Sequence, residues 1–243
     1  MRSLSLPEVS GYDEMIQPGG KVRDSYKGYH RWLMGQARDN LVRKRKEAEL
    51  QFHRVGITFN VYGEENGTER LIPFDALPRV IPARDWRHLE AGAIQRVRAL
   101  NMFLHDIYHD QAIVRDGRIP AEQIFGNSQY QPCMQDLDLP NQVYSQVSGV
   151  DLIRDGEGTW YVLEDNLRTP SGVSYMIENR RMMMRLFPEL FAGQSVAPVE
   201  HYPSLLLEAL QEDSGVAYPT VVLLTPGRFN SAYFEHAFLA QQM

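Results

Sequence analysis

The sequence has little cysteine, no long apolar run and no excess of positive charge. A single cysteine among 243 residues, Cys133, excludes an intramolecular disulfide and a zinc site built from several cysteines. This cysteine usage favours a cytoplasmic protein. No apolar run approaches the roughly 20 residues that cross a bilayer, and the first ten residues carry no signal-peptide core. We therefore expect a protein without a membrane partner.

The charge balance disfavours a nucleic-acid partner. Lysine and arginine together number 25, aspartate and glutamate 31, and the formal net charge is −6. Such a chain lacks the positive field that supplies most non-specific affinity for nucleic acids. The basic run at residues 43–46 is followed at once by Glu47 and Glu49, a pattern typical of a solvated helix face.

Periodicity and turn residues predict a mixture of helices and antiparallel hairpins. Apolar residues recur every three or four positions over residues 83–108, which predicts an amphipathic helix. Residues 21–54 contain few helix breakers and predict one long or two short helices. Two hairpins are predicted, one over residues 57–74 and one over residues 143–163. Further helices are predicted near residue 121 and over residues 173–187 and 203–211.

The last part of the sequence predicts a strand, a glycine turn and a helix. Residues 220–225 are β-branched and apolar, and a helix is predicted from about residue 230. A lone buried strand of this kind normally lies beside parallel neighbours. We expect no such neighbours in this chain. The apolar side chains of residues 221–224, with Phe234, Ala237 and Phe238, should then be uncovered, and the isolated chain should self-associate.

Three oxygen-bearing side chains form the candidate site on the second hairpin. Asp151 lies on its first strand and Glu164 at the end of its second, so a tight turn brings the two side chains onto one face. Asn166 lies two residues beyond Glu164 and points the same way if the strand continues. Two carboxylates and an amide oxygen are hard ligands that suit Mg²⁺.

The loop after this strand is a candidate anion site. It runs through Arg168, Ser171 and Gly172 into a helix, where backbone N–H groups and an arginine fork can receive a phosphate. The alternative is a structural role, in which Ser171 caps the helix and the neighbouring Asp165 is simply solvated.

Two other chemistries are open from the residues alone. His105 and His109 have the i, i+4 spacing of zinc ligands on a helix, as in a zinc hydrolase, although no third histidine has a distinctive spacing. Asp151 and Glu164 would alternatively serve as the general acid and base of a glycosidase.

Several segments resemble a known family. Residues 164–171, Glu-Asp-Asn-Leu-Arg-Thr-Pro-Ser, resemble the Glu-x-Asn-x-x-Thr-Pro segment of glutathionylspermidine synthase. From Tyr12 onward the chain is more closely similar to the circularly permuted ATP-grasp family related to that enzyme. The segments that carry this similarity are Tyr12-Asp-Glu-Met15, Ile57-Thr-Phe59, Val61-Tyr-Gly63, Pro73-Phe-Asp75, Pro78-Arg79, residues 163–175 and Asn230-Ser-Ala-Tyr-Phe-Glu-His236.

The resemblance implies an ATP-dependent carboxylate–amine ligase that uses ATP and Mg²⁺. In such enzymes ATP phosphorylates a carboxylate to an acyl phosphate, and an amine then displaces the phosphate. The implied partners are a small-molecule or peptide carboxylate and an amine. Carried over by position, the implied Mg²⁺ ligands are Asp151, Glu164 and Asn166, the implied catalytic residue is Arg168, and the implied nucleotide-binding residues are Ser171 and Gly172.

The resemblance also implies an α+β fold in three parts. These are a helical arm (residues 1–55), an ATP-grasp-like metal-ligand lobe with antiparallel hairpins and packed helices (56–198), and the incomplete start of a Rossmann-like pre-ATP-grasp unit (199–243).

Two departures from the family pattern limit what is carried over. Arg168 replaces an acidic residue of the glutathionylspermidine synthase segment, so specificity for glutathione and spermidine is not carried over. Family members continue with lysine-bearing strands that clamp ATP, and this sequence offers no candidate for them. We therefore expect one part of a truncated or split site, feeble alone, completed by a missing half or by a second polypeptide. A non-catalytic protein that keeps the fold and binds a partner is the alternative.

Overall fold

The structure, a computed structural model, describes residues 11–60 and 69–243. Its helices there are α1 (Lys27–Met34), α2 (Arg38–Val55), α3 (Ala83–Tyr108), α4 (Ala112–Arg115), α5 (Ala121–Phe125), α6 (Val173–Leu186), α7 (Pro188–Ala192), α8 (Tyr202–Glu212) and α9 (Tyr233–Gln242). Its strands there are β1 (Thr58–Asn60), β2 (Glu69–Leu71), β3 (Gly149–Arg154) and β4 (Trp160–Asn166). Among these helices none is both long and apolar enough to span a membrane.

The local predictions are confirmed over most of the described chain. The amphipathic helix forms as α3 with the predicted ends, Ala83 and Tyr108. Residues 21–54 form two helices, α1 and α2, rather than one. β1 pairs antiparallel with β2, and β3 with β4, so helices and antiparallel hairpins support the α+β class. The Val61-Tyr-Gly63 end of the first predicted strand and the Glu-Asn-Gly turn after it lie outside the described residues.

A glycine at the end of α2 leads the chain into the main core. Gly56 has φ +76°, a left-handed conformation that L side chains rarely adopt. Its N–H donates to the carbonyl of His53 at 3.2 Å, and the N–H of Ile57 donates to that of Phe52 at 2.9 Å. Phe52 and Ile57 are each only 1% exposed, so this cap turns the backbone directly from the helix into the core.

The main core lies between the N-terminal helices and the α6–α7 pair. Phe52 of α2 and Tyr29 of α1 pack in one buried cluster with Leu186 and Phe187. Trp32 meets Phe187 edge to face, with 5.2 Å between ring centroids. Burial of each such side chain contributes about 1.5–3 kcal/mol. The helical arm therefore shares its core with the lobe that carries the second hairpin.

A smaller core lies at the end of α3. Ile107 and Tyr108 of α3 are buried against Ile124 of α5, and Tyr144 packs against them from the segment that precedes β3. Through this cluster the α3 helix is anchored close to the start of the second hairpin.

The strand predicted over residues 220–225 is not formed. These residues are described and belong to neither a helix nor a strand. A strand needs a neighbour for its N–H and C=O groups, and the described part of the chain supplies none. Val222 and Leu224 are 70% and 86% exposed, as expected of an uncovered segment. The Rossmann-like start is therefore not seen in the described residues.

The expectation that Phe234 and Phe238 are uncovered is wrong. Phe238 is buried, and Phe234 is partly buried in a stack on Tyr175 with 5.5 Å between ring centroids. Both phenylalanines lie on α9, which packs against α6.

An apolar segment without ladder partners is prone to pair with another chain. We expect the isolated chain to self-associate. The double variant Val222→Lys, Leu224→Lys should raise the protein concentration at which half of the chains are associated by about tenfold or more. Light scattering over a dilution series measures this. Leu205→Lys, at a side chain 52% exposed on α8, is the matched control and should change nothing. A wild-type chain that is monomeric at every concentration contradicts the prediction.

Candidate functional site

The register of the second hairpin places the predicted metal ligands on one face. Asp151 pairs directly with Glu164, and Gly149 with Asn166. Directly opposed residues of an antiparallel pair project to the same side of the sheet. The side-chain amide of Asn166 donates to Glu164 Oε1 at 3.2 Å. The structure therefore brings Asp151, Glu164 and Asn166 together, and all three are exposed.

A β-bulge at Leu163 produces this arrangement. Leu152 pairs with Val162, but the preceding residue, Asp151, pairs with Glu164, so Leu163 is an extra residue on β4. Without it, Asp151 would lie opposite Leu163, and Glu164 would project to the other face. The sequence analysis missed this bulge.

The absence of a side chain at Gly149 lets the following loop lie close to the acidic face. A Cβ atom on Gly149 would lie 2.9 Å from Cβ of Pro170 and 3.4 Å from Cβ of Asn166. The first of these distances is a clash, so only glycine allows Pro170 to approach β3 this closely. The loop that carries Arg168 and Ser171 is thereby held beside the predicted ligands.

The opposite face of the hairpin is tied to α3 by two ion pairs. Arg96 donates to both carboxylate oxygens of Asp165 at 2.6–2.8 Å. Farther along the hairpin, Arg154 Nη2 lies 3.3 Å from Asp85 Oδ2. The hydrogen bond from Arg96 lowers the pKa of Asp165. The alternative in which Asp165 is simply solvated is therefore wrong, since its side chain is 13% exposed and paired.

Arg168 and Ser171 lie on the surface of the loop. Arg168 Nη1 donates to Gln129 Oε1 at 3.0 Å. Ser171 is exposed and does not cap α6, because the N-cap position is Gly172, with φ +117°. The structural alternative for Ser171 is therefore wrong. The binding roles predicted for both side chains remain predictions.

The N-terminus of α6 is already occupied by a carboxylate of the chain itself, that of Glu235. The Glu235 carboxylate accepts hydrogen bonds from the Gly172 N–H at 2.7 and 2.9 Å and from the Ser174 N–H at 3.0 Å. The Ser174 hydroxyl donates to the same carboxylate at 2.7 Å. Glu235, on α9, is only 5% exposed. The backbone donors predicted for a phosphate are thus present, but Gly172 is engaged by Glu235.

Sequence reasoning missed the role of Glu235. The segment from Asn230 to His236 entered only as part of a family resemblance, and nothing local marks one of its residues as a helix cap. The available signal was a single carboxylate among the aromatic and apolar residues of the predicted last helix.

The histidine pair of the zinc alternative is stacked and already hydrogen-bonded. The rings of His105 and His109 lie 4.1 Å apart between centroids. His105 Nδ1 lies 3.2 Å from the Tyr144 hydroxyl, and His109 Nδ1 lies 2.9 Å from the His105 carbonyl. Within residues 11–60 and 69–243, no group of three or more His, Cys, Asp or Glu side chains is arranged to hold a metal ion. The pair therefore lacks a third ligand in the described chain.

A family model described as a circularly permuted ATP-grasp matches residues 78–243, more than half of the chain. The chain belongs to the circularly permuted ATP-grasp family. The family match runs from the segment before α3 through α9 and includes all six predicted site residues. It confirms the family resemblance, while a specificity like that of glutathionylspermidine synthase is not carried by it.

The curated relatives that the chain matches are longer than the chain. A Synechocystis protein is 46% identical over 247 residues, which cover 100% of this chain and 51% of the relative. A Mycobacterium tuberculosis protein is 47% identical over 234 residues, 96% of this chain and 42% of the relative. A Frankia casuarinae protein, whose name provisionally assigns it to the glutamate–cysteine ligases, is 38% identical over 245 residues, 100% of this chain and 28% of the relative. The chain thus spans about half or less of the length of these relatives.

Removal of the Glu235 carboxylate should destabilise the chain. Glu235→Ala leaves two backbone N–H groups and a hydroxyl buried without an acceptor, and we expect a loss of about 3 kcal/mol in the free energy of unfolding. Glu235→Gln keeps one acceptor oxygen and should lose about half as much. Urea unfolding followed by circular dichroism measures both changes.

The matched control is Glu208→Ala on α8, an exposed position that should stay within about 0.5 kcal/mol of wild type. Equal stability of the Glu235→Ala and Glu208→Ala variants would show that the carboxylate does not secure α6.

Proposed function

We propose that this chain supplies the magnesium-binding lobe of an ATP-dependent carboxylate–amine ligase of the circularly permuted ATP-grasp type. The observation that carries the proposal is the cross-strand pair of Asp151 with Glu164, joined by Asn166, on the exposed face of a hairpin. Family membership supports the use of ATP, and the name of the Frankia relative supports the ligase class.

The donor set fits Mg²⁺. Asp151 and Glu164 offer carboxylate oxygens, and both side chains are exposed. Because the Asn166 amide nitrogen donates to Glu164, the amide oxygen of Asn166 is left to act as a ligand. Hard oxygen donors with room for water and phosphate oxygens are the surroundings that Mg²⁺ takes in nucleotide-binding proteins.

In the proposed reaction the residues of this lobe position and neutralise the reacting groups. Bound Mg²⁺ would supply positive charge against the crowded phosphate oxygens. Asp151, Glu164 and Asn166 would fix the place where that charge lies, on the rigid ladder of β3 and β4. The substrate carboxylate would take the γ-phosphoryl group of ATP as ADP leaves. An amine would then attack the acyl carbon and displace phosphate, which forms the amide.

Arg168, Ser171 and Gly172 of the loop have different roles in this proposal. Arg168 would leave Gln129 and place its guanidinium on a phosphate or substrate oxygen. Ser171, exposed beside it, would offer its hydroxyl to the nucleotide. Gly172 would contribute by its backbone N–H only if Glu235 moved aside, since that N–H is bound to Glu235. Arg168 and Ser171 are therefore the stronger candidates for phosphate contact.

A non-catalytic role in binding a second polypeptide is the second candidate. The uncovered segment around Val222 and Leu224 favours it, because exposed apolar side chains in sequence mark contact surfaces. The ligase proposal includes the division of the chain into three parts at residues 55 and 198. It also includes a missing half or second polypeptide that completes the site on the acidic face. Magnesium binding on the second hairpin separates the two candidates, since a purely structural partner does not need it.

Magnesium titration of the ¹⁵N-labelled chain tests the ligase proposal without requiring turnover. We expect saturable shifts of the backbone amide signals of residues 151, 164 and 166. Asp151→Asn and Glu164→Gln should each weaken the apparent affinity by about tenfold or more, because each removes a charged ligand.

The matched control is Glu157→Gln, an exposed acidic position in the turn of the same hairpin, which should leave the titration unchanged. Identical titrations of the wild type and the Asp151→Asn, Glu164→Gln double variant would exclude the proposed metal site.

A further inference from the structure

Asp165 lies between two of the proposed magnesium ligands in the sequence but projects to the opposite face of the hairpin. Glu164 and Asn166 face outward, whereas Asp165 faces α3. There Arg96 donates to both carboxylate oxygens of Asp165 at 2.6–2.8 Å, and such two-pronged pairs are among the strongest that arginine forms. The Asp165 side chain is 13% exposed, so the pair is partly shielded from water. A shift of β4 by one residue would turn Asp165 away from Arg96.

Burial of apolar side chains does not explain the bulge that produces this alternation. The bulged residue, Leu163, is 64% exposed. A regular ladder would place Leu163 opposite Asp151 on the outer face, at a position that is also exposed. The observed ladder instead places Glu164 opposite Asp151, and two directly opposed carboxylates repel each other. The bulge therefore needs a favourable contact elsewhere to offset this repulsion.

The ion pair of Arg96 with Asp165 is such a contact, because it forms only in the bulged register. In a regular ladder Asp165 would project outward, and Glu164 would take its place toward α3. Arg96 would then meet the longer side chain of Glu164 and lose its present geometry. The residue opposite Asp151 would be Leu163, which offers no metal ligand. The two registers thus compete for one guanidinium, and its pairing with Asp165 leaves Glu164 free on the outer face.

We propose that Arg96 is a positioning residue for the magnesium site: its ion pair with Asp165 selects the bulged register, in which Glu164 faces outward beside Asp151. The inference rests on the proposed function, which assigns these two carboxylates to Mg²⁺. Arg96 lies on the other side of the hairpin from the metal ligands, so it acts only through the register. Bulges that aim a side chain in this way are common beside active sites.

Nuclear Overhauser contacts across the hairpin measure the register directly, without magnesium. In the wild-type chain we expect contacts of residue 151 with residue 164. Arg96→Gln should weaken these contacts and produce contacts of residue 151 with residue 163, because the repulsion is no longer offset. Arg98→Gln, at an exposed arginine two residues further along α3 and hence on the other side of that helix, should keep the wild-type register. An unchanged register in Arg96→Gln overturns the proposal, since other contacts then hold the bulge.

Magnesium titration of the same variants connects the register to binding. The apparent affinity falls with the fraction of chains in the binding-competent register, so Arg96→Gln should weaken Mg²⁺ binding about tenfold. Asp165→Asn should weaken it by a similar factor. The double variant should bind no more weakly than the single variants, because both changes break the same pair. Equal affinity in Arg96→Gln and wild type, or losses that add in the double variant, overturn the proposal.

Failure of the proposed function gives a different result from failure of this inference. A wild-type chain that does not respond to magnesium contradicts the proposed function, while the Overhauser contacts still decide whether Arg96 selects the register. Magnesium binding together with an unchanged register in Arg96→Gln contradicts the role of Arg96 alone. Arg96 is 44% exposed, so Arg96→Gln should keep nearly the wild-type midpoint of urea unfolding. A large fall in that midpoint would show a merely structural role and overturn the proposal.

Discussion

The register of β3 against β4 is the constraint on which the candidate site depends. Because side chains alternate along a strand, a shift by one residue exchanges the two faces. The extra residue at Leu163 performs this exchange once, in the middle of β4. It turns Glu164 outward, opposite Asp151, and at the same time turns Asp165 inward to Arg96. One bulge therefore assembles the acidic face and anchors the opposite face to α3.

A second constraint comes from the far end of the chain. Glu235 of α9 binds the first backbone N–H groups of α6 and so fixes the point where the loop from β4 becomes a helix. The stack of Phe234 on Tyr175 adds an apolar contact between the same two helices. The helix dipole of α6 stabilises the buried carboxylate that caps it. The anion-binding capacity of this helix end is thus used within the fold, which shifts phosphate contact in the proposed function toward Arg168 and Ser171.

Local order could be predicted from the sequence, whereas contacts between distant residues could not. The ends of α3 follow from apolar spacing, and the hairpin that carries Asp151 and Glu164 follows from a short turn between β-forming runs. The direct pairing of these two residues depends on the bulge. No local sequence pattern indicates the bulge at Leu163, because an apolar residue also occurs in regular strands. The cap by Glu235 joins residues 63 positions apart. Residues 220–225 show the reverse case, since their strand propensity is strong but their hydrogen bonds need neighbours that the described chain lacks.

The two faces of the second hairpin differ in how their charge is balanced. On the face toward α3, Asp165 is paired with Arg96, and Arg154 is paired with Asp85 and Glu14. On the outer face, Asp151 lies opposite Glu164, and no described cation forms an ion pair with either. Like charges directly opposed across a ladder destabilise it by roughly 0.2–1 kcal/mol. A hairpin selected for stability alone would gain from a neutral residue at either position. The uncompensated pair therefore favours a function that brings positive charge to this face, and a divalent cation bound between the strands would remove the repulsion.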